Sequence, residues 1–336
     1  MSPPGHPNGE SPSAQRDGGP VAPSGHPASD ARAAQRASGP PVTAAQLLTE
    51  SGLPRLEARA LLAQVLSLPR ERLVADPQQA VAAAAAQRFD ALAQRRREGE
   101  PLAYLLGSRE FYGRPFTVTP DVLVPRPETE TLVDCALAAL RALPTTAAPR
   151  VLDLGTGSGC IAITLALEWP GAEVTAVDLS ETALAVAASN ARALGATLTL
   201  RAGDWYTALD ADHSAKRGAA GADHAAGDPR FDLIVANPPY IAAGDPHLPA
   251  LRHEPLRALT DGADGLDCLR AIVQQAPRWL RPGGTLLLEH GYDQRAAVDA
   301  LLRNAGFADV QAVSDAAGIA RVAVGRLTNR AGVRPV

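Results

Sequence analysis

The tetrapeptide Asn237-Pro238-Pro239-Tyr240 has the composition of a loop that binds a planar NH₂ group. The two prolines remove backbone donors and fix φ, so the loop presents carbonyl oxygens rigidly. The Asn237 carboxamide adds an acceptor, and Tyr240 offers a flat face. Two acceptors aimed at one point match the two donors of an amino or carboxamide nitrogen, and they stabilise positive charge that builds there. The alternative is a loop that binds no ligand and in which the prolines only stiffen the backbone.

A second candidate site is a glycine-rich turn that follows the apolar run ending at Leu154. Glycine lets the backbone bend tightly and lets a ligand approach it closely, and a helix start just beyond offers free N–H groups. The turn has the spacing GxGxG and not the GxGxxG typical of dinucleotide folds. The residues that we expect to touch a cofactor here are Gly155, Thr156, Gly157, Ser158 and Gly159.

Two acidic positions downstream extend this second site. Asp178 ends the next predicted strand, where a carboxylate can accept hydrogen bonds from both hydroxyls of a ribose. The alternative role, capping the following helix, suits Ser180 better. Asp204-Trp205 follows the third strand, and Trp205 fits either the face of an adenine or the protein core. The glycine turn and Asp178 together predict a nucleoside cofactor without separating NAD from S-adenosylmethionine.

Alternating strands and helices place these motifs in an α/β domain. Short apolar runs separated by helical stretches are typical of a parallel sheet with helices on both faces. We expect helices over 131–143, 181–194 and 266–280, and a closing antiparallel pair over 306–313 and 319–324. The predicted strands are Arg150–Leu154, Glu173–Asp178, Thr197–Arg201, Phe231–Ala236 and Thr285–Glu289.

The regions before and within this domain differ from it in pattern. Residues 1–42 are rich in proline and glycine and lack Phe, Trp and Tyr, so we expect a disordered extension. Residues 43–107 predict a small helical domain that serves as a lid, a docking module or a recognition module. In it Thr43 caps the first helix, and a third helix runs over 78–97. Residues 108–124 predict a hairpin linker, and we expect residues 125–328 to form the α/β domain.

Two further segments lie outside the predicted elements. Residues 210–229 are polar, rich in glycine and alanine and without pattern, so we expect a mobile surface insertion. Residues 329–336 form a short tail.

Composition excludes several classes of protein. The chain has 336 residues and a net charge of −4, which disfavours non-specific binding to nucleic acid. No apolar run reaches the roughly 18 residues of a membrane span. The three scattered cysteines form no CxxC pair and fit a reducing cytoplasm. We therefore expect a cytoplasmic protein without a membrane span. We further expect a monomer and no bound metal.

Several motifs together resemble the class I S-adenosylmethionine-dependent methyltransferases and, more narrowly, the release factor glutamine N5-methyltransferase family (PrmC, also called HemK). The resemblance covers about residues 43–328. It rests on the glycine turn, Asp178, Asp204-Trp205 and the NPPY loop. It rests also on five further stretches: REFYG at 109–113, VPRPETE at 124–130, HEP at 253–255, DGADGL at 261–266 and LLLEHG at 286–291.

The resemblance implies a Rossmann-like, mostly parallel seven-stranded sheet and S-adenosylmethionine as cofactor. The substrate it implies is the glutamine of the Gly-Gly-Gln motif in class 1 peptide chain release factors, which the helical domain and hairpin would dock. Asp178 would hold the ribose, and Trp205 would lie near the adenine. Asn237 would touch both cofactor and substrate, and Pro238, Pro239 and Tyr240 would complete the glutamine pocket.

The remaining charged residues near these motifs have weaker assignments. Asp153 is expected to support the glycine turn. Arg126, Glu128 and Glu130 either border the site or serve as helix-start and surface charges.

Three other functions compete with the one that the resemblance implies. A methyltransferase acting on the amino group of adenine in nucleic acid also needs to hold a planar NH₂ group, but it must flip a base and bind phosphates. A dinucleotide-dependent dehydrogenase conflicts with the GxGxG spacing and with NPPY. A scaffold without activity would have no need of intact glycines, Asp178 and NPPY.

Overall fold

The computed structural model describes residues 42–144, 148–210 and 230–328. The extension predicted over 1–42 falls outside this range except for its last residue. The insertion predicted over 210–229 falls outside it except for its first, and the tail at 329–336 is not described.

The amino-terminal part is a bundle of five short helices closed by a small strand pair. Thr43 accepts from the backbone of Gln46, whose side chain accepts from the backbone of Thr43, so the predicted cap is confirmed. The third predicted helix starts later than expected, because Ala80–Val81 pairs with Val42–Thr43 before it. The elements are β1 Val42–Thr43, α1 Ala44–Glu50, α2 Arg55–Leu66, α3 Arg70–Ala75, β2 Ala80–Val81, α4 Ala83–Arg97 and α5 Leu102–Leu106.

A hairpin of β3 (Ser108–Phe111) and β4 (Arg114–Thr117) follows the helices, as predicted within 108–124. Its two-residue turn, Tyr112-Gly113, has positive φ at both positions (52° and 73°), which matches the twist of paired strands. Tyr104 of α5 ties the bundle to the segment after the hairpin, because its hydroxyl donates to the Val122 carbonyl at 2.6 Å.

The rest of the chain forms a seven-stranded sheet in the order β10-β11-β9-β8-β5-β6-β7. The five strands from β9 to β7 are parallel, and β11 runs antiparallel to both of its neighbours, so the predicted fold class is confirmed. The strands are β5 Arg150–Leu154, β6 Glu173–Asp178, β7 Thr199–Ala202, β8 Phe231–Ala236, β9 Leu280–Glu289, β10 Phe307–Ser314 and β11 Ala320–Leu327.

Four strands have boundaries that differ from the prediction. β10 and β11 each begin one residue later than expected, and they end one and three residues later. β7 begins two residues later than expected, at Thr199. β9 begins at Leu280 and not at Thr285, because Leu280 pairs with Phe231 across an irregularity in the ladder. The Pro282-Gly283-Gly284 stretch thus lies inside a strand although its composition is typical of a turn.

Helices cover both faces of the sheet. One apolar core contains residues of α6 (Glu130–Arg141), α7 (Cys160–Glu168) and α8 (Glu181–Leu194), and the other contains residues of α9 (Asp267–Trp279) and α10 (Arg295–Asn304). The α8 bounds are those predicted, and those of α6 and α9 differ by one or two residues. Short 3₁₀ helices lie at Pro127–Thr129, Leu248–Leu251 and Leu256–Ala258. Within the described ranges no helix is both long and apolar enough to cross a membrane.

The strand order creates the crevice in which the site lies. β5 pairs with β6 on one side and with β8 on the other, so the order reverses there. Ligands bind in such sheets beyond the carboxyl ends of the strands at this reversal. The glycine turn, Asp178 and the NPPY loop each follow or end one of these three strands.

Asn190 of α8 connects the hairpin to this crevice. Its side chain is 1% exposed. It accepts from the Thr117 amide at 2.8 Å and donates to the Thr117 carbonyl at 3.0 Å and to the Ser158 carbonyl at 2.9 Å.

We expect Asn190→Ala to lower the free energy of unfolding by about 3 kcal/mol, because it leaves buried backbone groups without partners. Urea denaturation measures the change. Asn304→Ala, at the exposed end of α10, is the matched control and should alter the free energy by less than about 0.5 kcal/mol. Equal effects of the two substitutions would contradict this role for Asn190.

Candidate active site

The glycine turn joins β5 to α7 through three residues of positive φ. These are Gly155 (74°), Gly157 (55°) and Gly159 (81°). The amides of Gly155 and Thr156 both donate to the Val177 carbonyl at 2.9 Å, which fixes the turn on β6. A methyl group added at Gly159 would lie 2.8 Å from Ile163 Cδ1, so glycine also permits the close packing of the turn on its helices.

Asp178 lies at the end of β6 beside this turn. One carboxylate oxygen accepts from the Gly157 amide at 2.8 Å, and the other accepts from the Ser180 amide at 2.9 Å. Ser180 itself caps α8 by accepting from the Ala183 amide. Capping is therefore the work of Ser180, and Asp178 is positioned at the wall of a cavity.

Asp153 lies beneath the turn and is fully buried. Its Oδ2 accepts from the Thr156 hydroxyl at 2.6 Å, so it supports the turn from the core side. Burial raises the pKa of this carboxyl to about 7, although the hydrogen bond from Thr156 acts in the opposite direction.

A first cavity of about 280 Å³ opens beyond β5 and β6. Its wall includes Asp204 and the half-buried Trp205. The indole packs closely over the turn, since a methyl group added at Gly155 would lie 3.3 Å from Trp205 Cζ3. Trp205 also packs against the core that contains Tyr206 and Trp279, whose rings are stacked at 5.9 Å. The sequence-predicted residues in the wall are Gly155, Thr156, Gly157, Ser158, Asp178, Trp205, Asn237 and Pro239; Gly159 lies behind it, at the start of α7.

The NPPY loop follows β8 and is held by side chains from distant parts of the chain. Asn237 Nδ2 donates to Thr129 Oγ1 at 3.2 Å, and the Tyr240 hydroxyl donates to Glu289 Oε1 at 3.2 Å. The Tyr240 carbonyl accepts from Gln294 Nε2 at 2.9 Å. Hydrogen bonds thus fix both ends of the loop.

A second cavity of about 290 Å³ adjoins the first. Pro238, Tyr240 and Glu289 line it, together with Glu128 and Arg321. The residues that line both cavities are Leu123, Arg126, Asn237 and Ala258. Of the residues predicted to touch cofactor or substrate, Asn237 alone lines both cavities.

Glu289 is a buried carboxyl in the wall of the second cavity, 1% exposed. Burial raises its pKa to about 7, while Thr129, Tyr240 and the charge of Arg321 act in the opposite direction. Burial also raises the pKa of the Tyr240 hydroxyl, so this side chain stays neutral.

The three charged residues left open by the sequence take separate positions. Arg126 lines both cavities and pairs at 2.5 Å with Glu254, which is nearly fully buried. Glu128 lines the second cavity. Glu130 accepts from the Tyr112 amide and so holds the hairpin turn.

Several residues that support the site have no role that their sequence context predicts. Glu254 and Glu289 lie inside motifs quoted for the resemblance, and Thr129 lies in VPRPETE, so the signal was present without an assignment. Gln294 and Arg321 lie outside every motif, and no pattern in the sequence points to them. Among the described residues no cluster of three or more His, Cys, Asp or Glu is arranged to hold a metal ion.

The fold and site define a class I methyltransferase, and comparisons with known proteins agree. Residues 146–320 match the family model of a methyltransferase domain, and residues 42–107 match that of the PrmC N-terminal domain. The chain is 52% identical to the release factor glutamine methyltransferase of Bordetella pertussis, over 84% of this chain and 98% of that protein. It is 49% identical to the protein of that name in Burkholderia pseudomallei, over 85% of this chain and 97% of that protein.

The chain belongs to the release factor glutamine methyltransferase family. The protein of the same name in Neisseria gonorrhoeae is 49% identical over 82% of this chain and 94% of that protein.

The raised pKa of Glu289 gives a prediction on pH. A carboxyl that titrates near 7 when folded and near its usual 4.5 when unfolded binds more protons in the folded state between these values. Its contribution to stability is therefore complete below about pH 4.5 and is lost as pH rises to about 7. Glu289→Gln should match the wild type at pH 4 and exceed its free energy of unfolding by up to about 3 kcal/mol at pH 8. Chemical denaturation across this range measures the difference, and parallel curves would contradict the assignment.

Proposed function

We propose that this chain transfers the methyl group of S-adenosylmethionine to the side-chain amide nitrogen (N5) of the glutamine in the Gly-Gly-Gln motif of class 1 peptide chain release factors. The observation that carries the proposal is the position of Asn237 in the wall shared by two adjoining cavities. A residue at that boundary can contact a methyl donor on one side and an acceptor on the other. The names of the relatives supply the substrate class.

The first cavity has the features that a nucleoside cofactor needs. Gly157 leaves its backbone uncovered, Asp178 offers carboxylate oxygens to a ribose, and Trp205 offers an aromatic face to an adenine. The methionine part would lie along Gly155–Gly159. When bound, S-adenosylmethionine supplies an electrophilic methyl group on a positively charged sulfur.

The second cavity suits a neutral planar amide. Tyr240 is held by Glu289 and presents its ring, and Pro238 and Pro239 fix the backbone beside it. An amide nitrogen is a poor nucleophile because its lone pair is delocalised into the carbonyl. Acceptors on both N–H groups orient the lone pair toward the methyl donor, and alignment of this kind contributes several kcal/mol.

The same acceptors stabilise the positive charge that develops on the nitrogen during transfer. Asn237 Oδ1 is one such acceptor, because Nδ2 of the same side chain is engaged by Thr129. The proton becomes acidic only after the nitrogen has attacked, so the residues of the site need no strong base before that step.

The remaining parts of the proposal concern partners. We assign docking of the release factor to the amino-terminal helices and the hairpin, which adjoin the site through Tyr104 and Val122. We expect a cytoplasmic monomer that acts on a protein and requires neither nucleic acid nor a membrane.

A methyl-transfer assay with labelled S-adenosylmethionine tests the proposal. A purified class 1 release factor, the same factor with its Gly-Gly-Gln glutamine changed, DNA and ribosomal RNA are offered side by side. Label on the intact factor alone is expected. Label on DNA or RNA would overturn the substrate while leaving the class of enzyme unchanged.

Asn237→Ala should retain the fold and most cofactor binding but lose about 10²–10³-fold in kcat, because an acceptor for developing charge is removed. Steady-state kinetics with the release factor measures the loss, and Asn304→Ala serves as the control. Turnover close to that of the wild type would contradict the acceptor role.

Asp178→Ala should weaken cofactor binding before it affects the methyl-transfer step, because the ribose loses its carboxylate. Calorimetric titration with S-adenosylmethionine is expected to show at least a tenfold higher Kd, or about 1.4 kcal/mol. An unchanged Kd would argue against the ribose assignment.

A further inference from the structure

The Asn237 carboxamide has nearly the same shape in two orientations that differ in chemistry. In one, the oxygen faces the acceptor cavity and can accept from a substrate N–H group. After a half-turn of the amide, the NH₂ group faces the cavity and opposes a substrate NH₂ group donor to donor. Something beyond shape has to select the first orientation.

Thr129 is the residue in contact with the other end of that amide. Its Oγ1 accepts from Asn237 Nδ2 at 3.2 Å, and its side chain is 2% exposed. The backbone that carries it is fixed by a 3₁₀ turn beginning at Pro127, in which the Thr129 amide donates to the Arg126 carbonyl. Arg126 is anchored in turn by Glu254. The hydroxyl therefore sits at a constrained place.

A hydroxyl can both donate and accept, so it could donate its proton to the amide oxygen of Asn237 instead of accepting from Nδ2. It selects the Nδ2 end only if another group accepts its proton. Glu289 is buried, and its Oε2 has no hydrogen-bond partner within the described ranges. The Thr129 hydroxyl is near enough to this carboxyl to lower its pKa as a hydrogen-bond donor. Oε1 is already occupied by the Tyr240 hydroxyl. When the Thr129 proton points to Glu289, its lone pairs are left for a donor, which only the Nδ2 end of Asn237 provides.

We propose that Thr129 is a positioning residue, whose hydroxyl, backed by Glu289, holds Asn237 with Oδ1 toward the acceptor cavity. This inference rests on the proposed function, because it assigns Oδ1 to an N–H group of the substrate amide. Thr129 acts through Asn237 and does not itself contact the reacting atoms.

Two variants at this position separate the effect of the Thr129 hydroxyl from the effect of the side chain's shape. Thr129→Val has the same outline without the hydroxyl, and it should lose roughly 10- to 100-fold in kcat on the release factor. The Kd for S-adenosylmethionine should change less than threefold. Thr129→Ser retains the hydroxyl and should recover to within about threefold of the wild-type kcat. A Val variant near wild type, or a Ser variant as impaired as the Val variant, would overturn the inference.

A double substitution tests whether Thr129 acts through Asn237. In the background of Asn237→Ala, Thr129→Val should cost no more than about twofold further, because the side chain that it positions is gone. A further loss as large as in the wild-type background would show that Thr129 acts by another route.

A measurement without substrate separates this inference from the proposed function. The chain has only five asparagines, so ¹⁵N-asparagine labelling gives few side-chain amide signals, and Asn237→Ala assigns the one of interest. In the wild type these protons should exchange slowly with solvent, and in Thr129→Val at least tenfold faster, with Thr129→Ser close to the wild type. Equal exchange in the wild type and Thr129→Val would overturn the inference even if the release factor is methylated. Slow exchange with no methylation of any release factor would instead count against the proposed function.

Discussion

The proposed reaction requires hydrogen-bond acceptors that are held at a fixed place between the two cavities. An amide nitrogen attacks a methyl donor only when its lone pair is correctly aimed, and flexible acceptors would lose that alignment. Pro238 and Pro239 stiffen the loop, but stiffness alone does not place it. Placement comes from Thr129 at one end and from Gln294 and Glu289 at the other.

These contacts explain why residues from remote parts of the sequence meet around one loop. Gln294 Nε2 donates both to the Tyr240 carbonyl and to the Gly265 carbonyl, and its Oε1 accepts from the Gly291 amide. Gly265 has a φ of +82°, and a side chain there would collide with the Tyr240 carbonyl. The ion pair of Arg126 and Glu254 links the segment before the 3₁₀ turn at Pro127 to the segment that includes Ala258, which lines both cavities. The sheet supplies the frame, since β5 and β8 are neighbours and their carboxyl ends present the glycine turn and the loop side by side.

Much of this arrangement is predictable from the sequence because it is local. Val174–Asp178 reads as a buried strand with an acid at its end, and Phe231–Ala236 as a buried strand before NPPY. The rest depends on contacts across long separations. The spacing of residues does not show that Glu289 reaches Tyr240, or that Asn190 reaches both Thr117 and Ser158. Local composition also misleads where pairing overrides it, as in the Pro282-Gly283-Gly284 stretch inside β9 and at Ala80–Val81 before α4. The sequence does not decide between a core and a ligand face for Trp205, and in the structure this side chain packs against the core and also lines the first cavity.

The central claim concerns a single nitrogen atom, so the most direct measurement locates the transferred methyl group. A class 1 release factor treated with this chain and labelled S-adenosylmethionine is digested, and the peptide containing Gly-Gly-Gln is fragmented in a mass spectrometer. We expect one added methyl group, on the glutamine side-chain amide. A methyl group on any other residue, or an unmodified peptide beside methylated nucleic acid, would contradict that expectation.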